Sequence, residues 1–284
     1  MIIRNLKSHD EFWEAEDFQR KVWKFDDREL IPMTELVAMS KHGAHVFGAF
    51  EKGKIVGFCF GEPGFSEGRV YHYSRMAGVL PDLRDKGLGF KLKIAQRALC
   101  LKDGLDLIRW TFDPLQSRNA YFNIEKLGVI IRTYYVNLYG TRSSNIFNRG
   151  LEADRFCPEW WIRSKRTADK LAGRRPGPAV AEVLDGGKIA PVLAGRAGPK
   201  GLSAPGTARA PGRHPRVSVE IPDSIDTIKL RDLRLARAWR AATRRALTGC
   251  FDRGYAVTGF ATGADPAGGR RRSFYVLEKN FRIV

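Results

Sequence analysis

The chain of 284 residues predicts an α/β (α+β) fold. The expected architecture is a mixed, mainly antiparallel sheet flanked by helices, followed by a smaller C-terminal α/β unit. Three observations carry this expectation. Short β-rich runs alternate with amphipathic stretches. Two such runs, His45–Phe50 and Ile55–Gly61, meet at Glu51-Lys52-Gly53-Lys54, which reads as a hairpin. Two helical stretches stop just before or at a glycine, Gly104 and Gly128.

In order, Met1–Lys7 reads as a short strand and Asp10–Trp23 as a helix with Phe12, Trp13, Phe18 and Val22 toward one side. A further helical turn precedes the hairpin. Val70–Val79 is a long strand that stops at Pro81, and Gly89–Lys102 is a helix. Leu105–Phe112 is a strand, Asn119–Leu127 a helix, and Ile130–Leu138 a β-rich run. Beyond residue 215, Arg216–Ile221, Leu230–Arg253, Tyr255–Ala261 and Ser273–Lys279 read as strand, helix, strand, strand. Val79-Leu-Pro-Asp before one helix and Glu220-Ile-Pro-Asp before another suggest a degenerate half-repeat.

Composition narrows the classes. Hydrophobic residues at 43% exclude wholesale disorder, and no apolar run approaches the ~20 residues of a membrane span. No secretory leader is expected at Met1-Ile-Ile-Arg-Asn. Cys59, Cys100, Cys157 and Cys250 form no CxxC pair, which argues against a zinc ribbon and suits a reducing cytoplasm. The net charge of +18 attracts polyanions, phosphorylated cofactors included. Half of that excess lies between Arg163 and Arg216, with twelve basic and three acidic residues. From Leu171 to Pro215 this tract is dense in Gly and Pro and has no aromatic residue, so it reads as a flexible basic linker more than a nucleic-acid arm. The expected division is 1–165 as the first domain, 166–215 as the insertion, and 216–284 as the C-terminal β-α-β-β unit.

One stretch carries chemistry. Arg84-Asp85-Lys86-Gly87-Leu88-Gly89-Phe90 leaves a strand, turns on two glycines and opens a helix. Successive main-chain N–H groups of such a bend, with the unpaired donors of the helix's first turn, bind a diphosphate without a specific side chain. Arg84, Lys86, Lys91 and Lys93 add long-range attraction. A GxxxxGK[ST] loop is absent, and a dinucleotide fingerprint would need a third glycine and an earlier strand.

The Arg84-x-x-Gly87-x-Gly89 pattern after three β-rich runs resembles the acyl-CoA diphosphate loop of the GNAT N-acetyltransferase superfamily. Trp110-Thr-Phe-Asp113-Pro114 followed by Asn119-Ala-Tyr-Phe-Asn123 and Lys126-Leu127-Gly128 is similar to that superfamily's next strand and helix. Tyr134–Gly140, Gly150–Arg155, Glu159-Trp160-Trp161, Ala238-Trp239-Arg240 and Tyr275–Glu278 are similar to a bacterial subgroup of it. The resemblance covers nearly everything except the Gly/Pro-rich insertion. It implies a GNAT-type fold, an acyl-CoA co-substrate (acetyl or succinyl), no metal, and a small-molecule amine acceptor, an amino acid among the candidates. It implies cofactor binding at Val79, Arg84, Asp85, Lys86, Gly87, Leu88, Gly89, Phe90 and Asn119, with the strand edge near Val79 taking the pantetheine.

Candidate acid–base groups are His72 and Glu62 as proton acceptors and Tyr121 as the donor to the leaving thiolate. Relatives often carry that tyrosine where this chain has Ile124, and Tyr121 lies one helical turn earlier. Asp154-Arg155 and Trp160-Trp161 are further candidates for the acceptor pocket. Two other classes stay open: an acyl-CoA-binding module without catalysis, and a nucleic-acid-associated protein. A cytoplasmic location without membrane contact is expected, and a homodimer stays open.

Overall fold

The computed structural model describes residues 1–140 and 150–283. They divide into two compact units, residues 1–110 and residues 111–140 with 150–283.

The first unit runs β1 (Ile2–Asn5), α1 (His9–Trp23), α2 (Met33–Lys41), β2 (His45–Glu51), β3 (Lys54–Ser66), β4 (Arg69–Val79), α3 (Leu88–Lys102) and β5 (Leu107–Arg109). Its strands lie in the order β1-β2-β3-β4-β5. All pairs are antiparallel except β4–β5, which is parallel. Ser8 caps α1 by accepting from the Glu11 N–H, and α1 ends on Lys24 in the left-handed region. Alternation along β3 feeds two cores. Phe58 and Phe60 join Phe12, Phe18, Val22 and Leu36 beneath α1 and α2. Cys59 joins Phe47, Ala49, Leu88 and Leu92 beneath α3.

Strand β3 runs on to Ser66, past the expected stop at Gly61. Gly61-Glu62-Pro63-Gly64 has turn composition, yet the true turn is Glu67-Gly68, both at positive φ. Between the pairs Phe60↔Met76 and Glu62↔Tyr73, β3 spends one residue and β4 spends two. Ser74 and Arg75 therefore form a β-bulge opposite Gly61. A Cβ on Gly61 would lie 2.2 Å from Nε2 of His72.

The second unit contains α4 (Ser117–Tyr121), which continues as a π-helical turn over Phe122–Leu127 and closes on Gly128. It then runs β6 (Ile130–Tyr135), β7 (Arg155–Trp161), α5 (Lys165–Leu171), α6 (Val180–Leu184), β8 (Ala190–Leu193), β9 (Gly195–Ala197), β10 (Ser203–Pro205) and β11 (Arg216–Ile221). The last elements are α7 (Ile225–Arg231), α8 (Leu233–Phe251), β12 (Tyr255–Ala264) and β13 (Arg271–Lys279). Within the unit the large sheet has the order β7-β6-β12-β13-β11-β8, and β9 pairs with β10.

The stretch expected as a linker over 166–215 is built into this unit. Strand β8 pairs in parallel with β11. Val180, Val183 and Ile189 pack with Ala261, Phe274 and Val276 in one core. The buried Arg166 donates to the Gly128 carbonyl at 2.9 Å, and buried Lys170 pairs with Glu125. The glycines and prolines serve close approach: Pro178 lies against Gly259, and Gly177 leaves room for the Glu125 carboxylate. The expected 165/166 and 215/216 boundaries thus do not coincide with the observed division after residue 110.

Gly61 has an ordinary φ, so Gly61→Ala tests the collisions of a Cβ with the His72 ring and with the Tyr73 carbonyl, 2.8 Å away, without backbone strain. We expect a loss of about 1–3 kcal/mol in stability, read as a lower midpoint of thermal unfolding with unchanged secondary structure.

Candidate active site

The ladder between β4 and β5 has two registered pairs, His72↔Ile108 and Tyr73↔Arg109. The two strands part after them, and β3 and β5 are the only strand neighbours of β4 among the described residues. The Leu80 N–H donates to the Val56 carbonyl. By the alternation of an antiparallel ladder, Gly78 then also faces β3, while the N–H groups of Ala77 and Val79 point to the open edge. Ala77 is exposed although its partner across the ladder, Cys59, is fully buried. An open edge with aligned donors takes an extended, amide-bearing ligand as an added strand would be taken.

The bend expected to hold phosphate sits directly after this edge. Arg84, Asp85, Lys86 and Gly87 are exposed, and Asp85 and Gly87 have φ of 64° and 78°. The Arg84 Nε donates to the Val79 carbonyl at 3.4 Å, tying the bend to the end of β4. Leu88 is buried in the core beneath α3 and anchors the helix start. Gly87 caps α3 without a side-chain hydrogen bond, and the first intrahelical donor is the Lys91 N–H onto the Gly87 carbonyl. The N–H groups of Leu88, Gly89 and Phe90 are therefore the orphan donors of the first turn, at the positive end of the helix dipole. A Cβ on Gly89 meets nothing within 4 Å, and its φ is ordinary. Among the described residues neither backbone strain nor packing accounts for this glycine, whereas close approach of a phosphate to the turn would. Exposed Arg84, Lys86 and Lys91 surround it with positive charge. These features fit the nucleotide end of an acyl-CoA.

Glu62 lies on the α1/α2 face of the sheet, by alternation from Phe60. It is half-buried and accepts from the Arg75 guanidinium at 3.2 Å. On the same face the Trp23 indole closes over Gly78, where a Cβ would lie 2.7 Å from the ring, and it stacks on Phe25 at 6.0 Å. The chain carries no spacing signal for this aromatic pair, because it forms only where α1 ends against β4.

His72 does not reach the open edge. It is 1% exposed beneath α3, stacked on His45 with centroids 4.8 Å apart, and its Nε2 is 3.1 Å from the Gln96 amide nitrogen. Burial first, then the charges of His45 and Lys93, pull its pKa down to about 3. This position cannot exchange protons with a ligand in the β4 edge, which removes the expected acid–base role.

In the second unit, Asn119 and Tyr121 are both exposed on α4. Lys126 lies over the Tyr121 ring at 5.6 Å. Ile124 is fully buried, so the residue in the family's tyrosine position presents nothing to a ligand. Asp154 holds Tyr134 and Arg244 and is fully buried, as is Trp160, so both act within the unit's interior.

Sequence reasoning missed the polar cluster beneath α3. Lys93 is buried and donates to Ser74 Oγ and Gln96 Oε1, each at 2.9 Å, with its ammonium 4.0 Å from the centre of the Trp110 ring. Gln96 donates on to Cys59 Sγ at 3.2 Å. His45, His72 and Cys100 present donor atoms within 4.8 Å of one another. Those donors are already engaged: His45 binds Asp103 at 2.6 Å, and His72 faces Gln96. Burial also pushes the Cys100 thiol up to about 12, away from the thiolate a metal needs. The Lys93 ammonium beside them opposes a second cation, so the cluster is a hydrogen-bonded network.

A strand edge with free main-chain donors that leads into an uncapped helix start fits a nucleotide-linked acyl carrier. Residues 4–128 match the model of the acetyltransferase (GNAT) family, so this part of the chain is similar to that family. The chain is accordingly an N-acetyltransferase-type enzyme, with acyl-CoA as its co-substrate. No curated protein matches it. Among solved structures it is similar to aminoglycoside 6′-acetyltransferase type Ii, at 18% identity and TM-score 0.45, covering 57% of this chain and 97% of that one. It is also similar to the ribosomal-protein-S18-alanine N-acetyltransferase from Escherichia coli, at 16% and 0.45, covering 57% and 93%. A third likeness is to the NatC complex bound to Gag peptide and CoA, at 15% and 0.42, covering 56% and 96%.

The buried neutral His72 makes the fold acid-sensitive. The unfolded chain takes up this proton near pH ~6.5, whereas the native state resists it down to about 3. The unfolded state thus binds more protons in that window. The His72 contribution to stability is flat above the window and falls as pH drops through it, by up to about 1.4 kcal/mol per pH unit. Urea unfolding at pH 7, 6, 5 and 4 should give a steeper loss for the wild type than for His72→Gln; parallel curves would refute the assignment.

Proposed function

We propose that this enzyme moves an acyl group, acetyl or succinyl, from the CoA thioester to the primary amine of a small molecule, an amino acid among the candidates, within a ternary complex. The single observation that carries this reading is the open β4 edge at Ala77 and Val79 running straight into the bend over residues 84–90. Bound acyl-CoA supplies the activated thioester carbonyl. Within that arrangement the bend and the first turn of α3 hold the diphosphate, while the Ala77 and Val79 amides take the pantetheine carbonyls and face the thioester oxygen as it gains charge. Holding donor and acceptor together replaces a bimolecular encounter with an oriented attack.

The acceptor would enter over the α1/α2 face, past Trp23, Phe25 and Tyr73. Glu62 is the proton acceptor we assign to the attacking amine, directly or through water, because its carboxylate is half-buried on that face and His72 is not. As the C–N bond forms and the C–S bond breaks, the Tyr121 hydroxyl is the donor we assign to the leaving sulfur. Asn119, exposed on the same helix, is assigned to the cofactor. The basic side chains around the bend favour a donor with several phosphate charges.

Gly89→Glu tests the reading with little disturbance to folding, since the new side chain leaves into open space. The added carboxylate should occupy the phosphate position and lower kcat/KM for acetyl-CoA by at least ~100-fold, roughly 2.7 kcal/mol, with the unfolding midpoint unchanged. The assay is thiol release from acetyl- and succinyl-CoA across a panel of amines. Turnover in Gly89→Glu equal to the wild type would reject the loop assignment. CoA binding without turnover on any amine would leave a binding module.

A further inference from the structure

The end of the β4–β5 ladder coincides with an unusual side chain. Residues 72 and 73 pair with 108 and 109, so Ser74 and Trp110 are the first residues on the two strands to go unregistered. Lys93 of α3 reaches both of them. Its Nζ donates to Ser74 Oγ at 2.9 Å and sits 4.0 Å from the centre of the Trp110 ring, and its remaining contact is Gln96 Oε1 at 2.9 Å. Three N–H bonds thus meet one acceptor on β4, one π-face after β5, and one acceptor on α3 itself. Lys93 is 5% exposed, and among the described residues no carboxylate pairs with it.

A buried ammonium without a counter-charge is costly, and an apolar side chain of similar length fills such a space at lower cost. Packing between α3 and the sheet therefore does not explain the lysine, since Leu88 and Leu92 already serve that contact. Position does explain it. Ser74 is also one of the two bulge residues of β4, so the ammonium grips β4 where its twist changes and its ladder ends.

We propose that Lys93 is a positioning residue for the acyl-CoA slot: its ammonium braces Ser74 and Trp110 where β4 and β5 part, and so fixes the width of the fork that receives the pantetheine arm. The proposal rests on the reading of that slot given above. It names no contact between Lys93 and the ligand, because the side chain lies beneath α3 and acts through the two strands. Burial lowers the Lys93 pKa to about 8. The brace is cationic below that pH and loses its hold on the Trp110 face above it.

Acetyl-CoA and adenosine 3′-phosphate 5′-diphosphate separate the brace from the phosphate loop. Calorimetric titration of both into Lys93→Met should show acetyl-CoA weakened about tenfold or more, with the nucleotide half, which lacks pantetheine, bound as in the wild type. Ser74→Ala removes the β4 anchor while keeping the charge, should show the same selective loss, and carries the test alone if Lys93→Met does not fold. Gly89→Glu should lose both ligands. Acetyl-CoA affinity of the wild type should fall as pH rises through ~8, and that dependence should be absent in Lys93→Met. Equal acetyl-CoA affinity in the wild type and both variants, or an equal loss of both ligands, overturns the brace. Failure of the wild type to bind either ligand instead overturns the acyl-CoA reading.

Discussion

A strand whose main-chain donors face an unfilled edge is unstable toward pairing, and β4 maintains that state over its last residues. Sheets normally close such edges with a neighbouring strand, a bulge or a covering element. Here β5 starts the closure at His72 and Tyr73 and then diverges, so that among the described residues no strand pairs with β4 at Ala77 and Val79 on that side. Much of the first unit follows from that constraint. The bulge at Ser74–Arg75 turns β4, Arg84 ties the bend back to Val79, and Leu88 pins the start of α3. The open edge and the uncapped helix start belong to one continuous stretch of main chain, from Ala77 to Phe90.

The two units handle buried charge differently. In the second, two buried cations meet carboxylates, Arg240 with Asp113 through two hydrogen bonds at 2.8 and 2.6 Å and Lys170 with Glu125, while Arg166 donates to main-chain carbonyls. Such pairs roughly recover the cost of their own desolvation and fix geometry. The space beneath α3 instead gathers Lys93, His45, His72, Gln96, Ser74, Cys59 and Cys100, with Asp103 reaching in from the helix end. Here burial acts on each group alone, lowering Lys93 and His72 and raising both thiols. His72 and both thiols are thereby kept neutral, so the cluster is held by hydrogen bonds around one ammonium, that of Lys93. Reactivity at either cysteine is correspondingly suppressed.

Much of this architecture was legible along the chain because it depends on local signals. The apolar spacing of α1, the Gly87-Leu88-Gly89 opening of α3 and the run from Arg216 to Ile221 fall within a residue or two of the observed elements. What was not legible is non-local. Lys93, Gln96 and Cys100 have the spacing of one helix face, and only the approach of His72 and Ser74 from β4 makes that face internal. The direction of His72 depends on the bulge, which no window of sequence contains. The Gly/Pro-rich tract misled because composition reports local stiffness, whereas β8 is ordered by its pairing with β11, a distant partner. The glycine bend before α3 could be placed from sequence, whereas the parting of β4 from β5 is a matter of register.

Glycine usage separates what the fold needs from what a ligand needs. Gly61 is small because His72 fills the space of its side chain, and Gly78 because Trp23 does. Gly87 has room around it but sits at φ 78°, where other residues are strained. Folding accounts for all three. Gly89 has an ordinary φ and an open surrounding on the first turn of a helix, where glycine costs up to about 1 kcal/mol relative to alanine. Among the described residues nothing requires it to lack a side chain, and the donors it leaves uncovered are those of Leu88 to Phe90. A bare helix start of this kind is explained by close approach of an anion to the main chain. The same bend folds back on the end of β4, where the Arg84 Nε donates to the Val79 carbonyl.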